Sequence, residues 1–208
     1  MASVLHTTKD RCNPVKKTIC TNHVVTATLN GTAECARSAI WQTLVGNRTP
    51  TGKVAPEDYR CLLECALVCG RSDNTGQSRG RITFSRLMEQ NQHLRLGGRP
   101  LSTFFPSRAP IEHDPPASRD ALERMYRLWR SKRPLVTLTG HFGLGPAAAR
   151  AGDVVFVIIG CTVPVVLRPT ELDRWQLVGC CYMQGYMEGE ALHEVELGTR
   201  DVCSVSMC

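Results

Sequence analysis

The apolar positions of this chain are most regular in its last third. Residues 152–168, GDVVFVIIGCTVPVVLR, form an aliphatic run that is interrupted at 160–162. A membrane-spanning helix needs about 20 continuous apolar residues, so the interruption excludes one. Branched side chains favour a pleated sheet over a helix. We therefore predict a central strand at 154–159, buried on both faces. A hairpin at 160–162 then leads to a second strand that begins near Pro164 and places Val165 and Leu167 on one face.

The flanking segments extend this sheet. Strand periodicity in WQLVGCCYM, residues 175–183, separates two sets of side chains: Trp175, Leu177, Cys181 and Met183 on one face, and Val178, Cys180 and Tyr182 on the other. Residues 135–139 predict a further strand that enters a glycine-rich turn, GHFGLGP, at 140–146. The region is thus predicted to be a small, mostly antiparallel sheet or a partly open β-barrel.

The earlier part of the chain has helical periodicity. Residues 33–45 carry one apolar stripe, with Thr32 as candidate cap and Gly46 as terminator: Ala33, Ala36, Ile40 and Leu44. Further helices are predicted at 55–70, at 85–94, and from a cap at Ser118 to residue 131. The polar segment 71–81 is predicted to be a loop. Residues 97–118 are proline-rich and predict an irregular linker or surface loop.

These patterns predict an α+β protein in which helices precede a β module. The predicted parts are a poorly structured segment at 1–32, a helical region at 33–133, the β module at 134–199 and a tail at 200–208. Charge supports a boundary near Pro134. Residues 1–133 contain 21 Lys and Arg against 11 Asp and Glu, and residues 134–208 contain 4 against 8, so the balances of +10 and −4 give the net +6.

Several blocks in the second half resemble a known family. They are GLGP at 143–146, GDVVFVIIG, VPVVLR, and LVGCCYMQGYMEGEAL at 177–192, preceded by AIWQTLVGNRTPTGKVAPEDY at 39–59. Their order and spacing resemble the C-terminal region of fungal heterokaryon incompatibility proteins. The blocks of the HET domain that precedes this region in the family, of the types A-L-S-Y-x-W-G and I-D-x-x-C-I-N-Q, are absent from these 208 residues. The family's usual histidine in Y-V-H-G is Gln184 here.

Composition favours a cytoplasmic protein. The hydrophobic content of 42% is enough for a real core. The first thirty residues lack the apolar run of a secretory signal. The eleven cysteines are therefore expected to stay reduced, and we predict no cofactor.

Three cysteines repeat every four residues in CLLECALVC: Cys61, Cys65 and Cys69. One helix would present them on one side, but a metal site usually adds a fourth ligand and uses shorter spacings. Small buried thiols are ordinary core residues. We therefore predict core positions and no metal.

A cysteine nucleophile needs a neighbouring histidine. His141 is the candidate, with Cys161, Cys180 or Cys181 as its thiol. Since Cys180 and Cys181 point to opposite faces of a strand, at most one of them can serve, and we assign no catalytic residue. The segment 140–145 does not match the G-x-G-x-x-G phosphate fingerprint and is interpreted as a tight turn.

The last predicted helix is strongly basic and includes Tyr126 and Trp129; its charged residues are Arg119, Arg124, Arg127, Arg130, Lys132 and Arg133. Such a pattern can bind nucleic acid. Both aromatic residues, however, fall on the apolar stripe that should face the core, which favours a solvated cationic face. The late acidic residues are expected to be exposed: Glu188, Glu190, Glu194 and Glu196.

The resemblance implies a non-enzymatic interaction or regulatory region that acts in self/non-self recognition. Its partner would be another protein of the family or a regulatory protein, with no membrane contact. Three alternatives remain: a degenerate fragment without independent activity, a basic nucleic-acid-binding module, and a hidden hydrolase.

Overall fold

The computed structural model describes residues 2–5, 25–27, 33–63, 89–92, 94–96, 99–105, 116–137, 140–171 and 174–208. The chain divides into two compact units. One comprises residues 22–132, and the other joins residues 1–21 to residues 133–208. None of the helices in the described ranges has the length and apolar character needed to cross a membrane.

The unit at 22–132 contains the longer helices. Helix α1 is Ala33–Val45 and helix α2 is Pro116–Trp129. Two short 3-10 helices lie at Glu57–Leu63 and Leu101–Phe104. Strands β2 (Val25–Ala27), β3 (Leu94–Leu96) and β4 (Arg99–Pro100) form a three-stranded sheet.

Helix α1 confirms the predicted span. Ala36, Ile40 and Leu44 are buried along one side, as the apolar stripe predicts. The helix ends at Gly46, whose φ of 61° is a left-handed conformation that glycine adopts without strain. The proposed cap at Thr32 lies outside the described residues.

The other helix predictions need correction. The described part of the 55–70 segment is a 3-10 helix at Glu57–Leu63, which begins where Tyr59 donates its N–H to the carbonyl of Pro56 at 3.0 Å. Residues 64–88, with the predicted loop at 71–81, lie outside the described ranges. In the predicted helix at 85–94, residues 89–90 are helical, but Leu94 begins strand β3, so the helix does not reach it. The proline-rich segment holds β4 and a 3-10 helix. Helix α2 ends at Trp129 and begins at Pro116, two residues before the predicted cap at Ser118, because proline suits the first helical turn.

The second unit is built on a closed five-stranded barrel. In chain order its strands are β1 (Ala2–Leu5), β7 (Val154–Ile158), β8 (Val165–Pro169), β9 (Arg174–Cys180) and β11 (Val202–Met207). Around the barrel the order is β1-β11-β9-β8-β7, and β1 closes the ring by pairing with β7. All of these pairings are antiparallel except that between β9 and β11. The predicted α+β class is therefore confirmed.

Both ends of the described chain contribute to this ring. Residues Ala2–Leu5, predicted to be poorly structured, pair with β11 from Ala2 opposite Val205 to Leu5 opposite Val202. Residues 202–207, predicted to be a tail, form that partner strand. Neither strand has the strong apolar run that marks β7. Pairing with distant strands supplies the order that the local sequence pattern lacks.

The barrel has two apolar layers. Its inner cluster is Phe156, Ile158, Val165, Leu167 and Trp175, in which Phe156 and Trp175 meet edge to face at 4.8 Å. Val165 and Leu167 therefore share a face, as predicted. The outer cluster is Leu135, Ala149, Val166, Cys181 and Met183. On β7 only Phe156 and Ile158 are buried, so the prediction that this strand is buried on both faces is wrong.

The predicted strand at 175–183 is two strands. Val166 pairs with Gly179 and Leu167 pairs with Leu177, which leaves Val178 as an extra residue in a β-bulge. A bulge reverses the alternation of side chains beyond it. Trp175 thus enters the inner cluster, whereas Cys181 and Met183 join the outer one. The prediction that these three side chains share a face is wrong for this reason.

A second sheet supplies part of the outer layer: β5 (Lys132–Val136), β6 (Phe142–Pro146) and β10 (Tyr182–Met183), in the order β10-β6-β5. The GLGP block, interpreted from sequence as a turn, is the buried strand β6. A Cβ on Gly143 would lie 2.3 Å from the carbonyl oxygen of Tyr182, and one on Gly145 would lie 2.3 Å from Leu135. Here the glycines allow neighbouring atoms to approach closely.

Candidate functional site

A groove opens at one end of the barrel, with a volume of about 80 Å³. One wall is the end of β7 and the connection to β8, residues 157–164. The other wall is the segment that leads into helix α3 (Glu190–Glu196), through Tyr186, Met187, Gly189, Ala191 and Leu192. We call this feature the α3 groove. Of the described residues that line it, none is basic, and most are apolar.

The first wall is shaped by the connection between two strands. Gly160 has a φ of 90°, and the N–H of Cys161 donates to the carbonyl of Ile158 at 2.9 Å, which makes the turn tight. Pro164 directly precedes β8, as predicted, and its carbonyl accepts the N–H of Cys181 at 2.9 Å. The turn leaves the side chain of Ile159 48% exposed at the groove.

The second wall is the beginning of helix α3. Gly189 takes a φ of 98° before the first turn, and its carbonyl accepts the N–H groups of Leu192 and His193 at 2.9 and 3.2 Å. Ala191 is buried, whereas Leu192 is 48% exposed. Each wall therefore presents one half-exposed aliphatic side chain.

A polar cluster behind the groove holds the second wall in place. Arg200 donates from Nη2 to the hydroxyl of Tyr186 at 2.8 Å, and that hydroxyl donates to Glu194 at 3.3 Å. Arg200 also forms an ion pair with Glu194, and its guanidinium lies 5.2 Å from the centre of the Tyr186 ring. Because only 8% of the Arg200 side chain is exposed, these contacts are shielded from water. With His141, these residues form what we call the Tyr186 cluster.

His141 packs against the tyrosine ring of the cluster. The two rings meet edge to face, with centroids 4.9 Å apart. Burial and, next, the positive charge of Arg200 lower the pKa of His141, and Glu194 acts in the opposite direction. Burial raises the pKa of Tyr186. Both rings are therefore held in their neutral forms, which suits a packing role beneath the groove wall.

The cysteine candidates lie in different environments. Cys161 and Cys180 are exposed, whereas Cys181 is buried in the outer apolar layer. The ring that packs on His141 belongs to Tyr186, and the charged groups that shift its pKa belong to Arg200 and Glu194. The structure thus places His141 in an aromatic and ionic cluster.

The remaining cysteine candidates belong to the other unit. Cys61 is buried in the 3-10 helix at Glu57–Leu63. Cys65 and Cys69 lie outside the described ranges. Over the part of the chain that the structure describes, no three His, Cys, Asp or Glu side chains are arranged to hold a metal ion.

Two arginines of the predicted basic surface are used structurally. Arg124 donates from Nε to the carbonyl of Val45 at 3.1 Å, at the end of α1. Arg133 donates to the carbonyl of Ala149 at 3.1 Å. Trp129 donates its indole N–H to the carbonyl of Leu44 at 2.9 Å, which agrees with its predicted place on the packed side of the helix. Arg119, Arg127 and Arg130 remain exposed.

Gln184, which replaces the family's usual histidine, follows strand β10. Its backbone N–H donates to the carbonyl of Phe142 at 3.1 Å, and its side-chain oxygen accepts the hydroxyl of Tyr182. The position therefore lies in the turn that follows β10 and is hydrogen-bonded to β6.

Sequence reasoning did not anticipate the Tyr186 cluster. Tyr186 falls within a block that resembles the family, but Glu194 was predicted to be one of several exposed acids. Arg200 lies beyond α3, and no periodicity indicates that its side chain returns to the tyrosine. The one sign of the cluster in the sequence is that Arg200 follows a run of acidic residues.

Comparison with known proteins finds a family whose model matches part of this chain. Residues 117–199 match the Het-6 beta-barrel domain. The matched segment takes in nearly all of α2, the strands from β5 to β10 and helix α3, whereas β1 and β11 lie outside it.

A particular relative is heterokaryon incompatibility protein 6, OR allele, of Neurospora crassa. It is 36% identical over 73 residues, which are 34% of this chain and 11% of the relative. The chain thus matches about a tenth of the length of that protein. No solved structure matches the chain. The resemblance to heterokaryon incompatibility proteins is confirmed for this region.

Proposed function

We propose that this chain supplies a non-enzymatic protein-interaction region to a cytoplasmic heterokaryon incompatibility system, with the α3 groove as its contact site. The observation that carries the proposal is the pair of half-exposed aliphatic side chains, Ile159 and Leu192, on facing walls of one groove. Apolar side chains in a concave, positioned setting are typical of binding sites. The incompatibility context comes from the Neurospora crassa relative, which is named as a heterokaryon incompatibility protein.

Residues in the sequence blocks that resemble the family have structural roles, which support a scaffold more than a catalyst. Asp153 of the GD block and Arg168 of the LR block bind each other. Gly179 of the LVG block lies where a Cβ would approach Pro146 of the GLGP block to 2.9 Å. Packing and pairing within the barrel unit thus explain why these residue types occur in the blocks. Any function then depends on the surface that these residues support.

The test is viability of a fungal host after induced expression of residues 1–208, with and without a full-length HET-domain protein. We expect no death from the chain alone. We expect it to dampen or redirect the response to the full-length protein by occupying a shared interface.

A matched pair of variants ties that effect to the groove. Leu192→Lys places a charge at the groove and should abolish the effect. Leu197→Lys changes a leucine that is 63% exposed and does not line the groove, and it should retain the effect. Death caused by the chain alone, or equal loss in both variants, would contradict the proposal.

A further inference from the structure

The Tyr186 cluster joins four separate parts of the barrel unit. His141 precedes strand β6, Tyr186 follows strand β10, Glu194 belongs to helix α3, and Arg200 lies between α3 and β11. Tyr186 also lines the α3 groove. A change in the contacts of this cluster therefore acts directly on the second wall of the groove.

The formal charges of the cluster balance only while His141 is neutral. Arg200 carries one positive charge and Glu194 one negative charge, and the two form an ion pair. Among the described residues, these are the charged groups that act on His141, and Tyr186 is the titratable group that contacts it. A proton on His141 adds a second cation, and an uncompensated charge that is shielded from water is unfavourable.

The side chain of Arg200 has no means of compensating a second positive charge. Its Nε is bound to Glu194 and its Nη2 to the hydroxyl of Tyr186. Its Nη1 is buried without a hydrogen-bond acceptor among the described residues. Because only 8% of the side chain is exposed, water screens the guanidinium poorly. Protonated His141 and Arg200 would therefore repel each other, since both pack on Tyr186.

Helix α3 is the part of the cluster that can move most readily. It has seven residues, of which Ala191 is buried. Elements with few buried apolar contacts open at the lowest free energy. His141, by contrast, is held by its backbone. Its N–H donates to the hydroxyl of Thr137, and its carbonyl accepts the N–H of Thr137, both at 3.0 Å. The repulsion is therefore relieved by movement of α3.

We propose that protonation of His141 releases the second wall of the α3 groove, so that the groove is formed at neutral pH and lost in mild acid. This inference rests on the proposed function and names its control: a partner bound at neutral pH is released as pH falls. The lowered pKa of His141 gives the direction. The neutral ring holds the wall fully above the ordinary value of about 6.5, and this contribution is lost as pH falls toward the folded-state pKa.

Hydrogen–deuterium exchange, followed by mass spectrometry, tests this release in the full chain. The protection of segment 186–197 is measured at about pH 7 and about pH 5, the range over which histidine titrates. Each rate is divided by the intrinsic exchange rate at the same pH, and strand β8 is the internal reference. We expect the protection of 186–197 to fall at least about fivefold in acid, as for a local opening, while that of β8 stays unchanged.

Three variants separate control by a proton from packing. His141→Gln keeps a neutral side chain, and its segment 186–197 should stay protected in acid. His193→Gln removes the exposed imidazole of α3 itself and should still lose protection. Tyr186→Phe keeps the ring but removes the hydroxyl that contacts Arg200 and Glu194, so it should weaken protection already at neutral pH. Circular dichroism and thermal melts establish that each variant is folded.

The unmodified chain supplies a second measurement: the His141 ring, followed by NMR, should titrate together with the loss of protection. Several results would overturn the inference: protection that does not change with pH, a loss shared by β8, or a loss that persists in His141→Gln. If groove variants remove the effect in the fungal host while exchange is independent of His141, the proposed function stands and only the proton control is wrong. Exchange that follows His141 without any groove-dependent effect in the host would show the reverse.

Discussion

Arg168 and Asp153 form a two-pronged ion pair across adjacent barrel strands. Nε of Arg168 donates to one carboxylate oxygen at 2.7 Å, and Nη2 donates to the other at 2.9 Å. The carboxylate also accepts the backbone N–H of Arg150 at 2.9 Å, and Nη2 donates to the carbonyl of Ala148 at 3.0 Å. Asp153 is almost fully buried. The pair therefore ties the beginning of β7 both to β8 and to the turn that precedes it.

Asp153→Asn should lower the free energy of unfolding by about 2–4 kcal/mol. Breaking a fully buried pair costs about 3–5 kcal/mol, and the 21% exposure of Arg168 reduces that cost. Guanidinium denaturation measures this loss of unfolding free energy. Glu123→Gln is the control, because Glu123 and Arg127 form a pair that is exposed on both sides and worth at most about 0.5 kcal/mol. Equal losses in the two variants would contradict the assigned role.

Two neighbouring isoleucines test the placement of β7. Ile158 is 8% exposed and belongs to the inner cluster, whereas Ile159 is 48% exposed. Ile158→Asp should abolish folding, because an unpaired carboxylate in an apolar interior costs several kcal/mol against a total stability of about 5–15 kcal/mol. Ile159→Asp should give a folded protein. A cooperative thermal transition in both variants would show that this face of the strand is wrongly placed.

The glycines of β6 should differ in their tolerance of a methyl group. Gly143→Ala directs a Cβ at a backbone oxygen, and Gly145→Ala directs one at the flexible side chain of Leu135. Only the side chain can yield, so Gly143→Ala should be the more destabilising variant. Denaturation midpoints give the order. In a double-mutant cycle, Gly145→Ala should cost less in a Leu135→Ala background.

His141 should make stability depend on pH. Its folded-state pKa is lowered, mainly by burial and then by Arg200. As pH falls, the unfolded chain is therefore protonated first. The contribution of the neutral ring is complete above the unfolded value of about 6.5 and is lost as pH falls from there toward the folded pKa.

His141→Gln should flatten the dependence of the denaturation midpoint on pH between 7 and 5. His193→Gln is the control, because it removes an imidazole that is 70% exposed. An unchanged slope in His141→Gln would show that the histidine does not carry this dependence.

Two of the arginines of α2 should contribute unequally to stability. Arg124 donates to the last carbonyl of α1, where a cation also interacts favourably with the helix dipole. Arg124→Ala should therefore lower the unfolding free energy by about 1 kcal/mol. Arg127→Ala removes only an exposed pair and should cost at most about 0.5 kcal/mol. Urea denaturation of both variants tests whether the basic face of α2 contributes to stability through Arg124.

Local features of the fold could be predicted from sequence, and non-local ones could not. The span of α1 followed from a stripe of apolar residues and a terminating glycine, all within one short segment. The shared face of Val165 and Leu167 followed from strand periodicity. The bulge at Val178 escaped prediction because a single extra residue leaves no mark in composition, although it reverses every face beyond it.

The candidate site was harder to predict than the fold. The charge of Glu194 suggested hydration, since isolated acids are usually exposed. Its pairing with the buried Arg200 beside Tyr186 depends on the path of the chain after α3. The glycines at 143 and 145 were interpreted as turn residues because glycine is common in turns. Their real constraint comes from Tyr182 and Leu135, whose proximity appears only in three dimensions.

Because β1 closes the barrel, the ring can be completed only after its partner strand β11 has been synthesised. During synthesis β1 emerges first, and its partner β11 is made about 200 residues later, which at about 5–20 residues per second is a delay of roughly 10–40 s. Throughout that interval the strand carries backbone groups that β11 will later satisfy. A nascent chain from which β11 has not yet emerged therefore cannot contain the finished ring, and a chaperone that shields unpaired strands would act before β11 emerges.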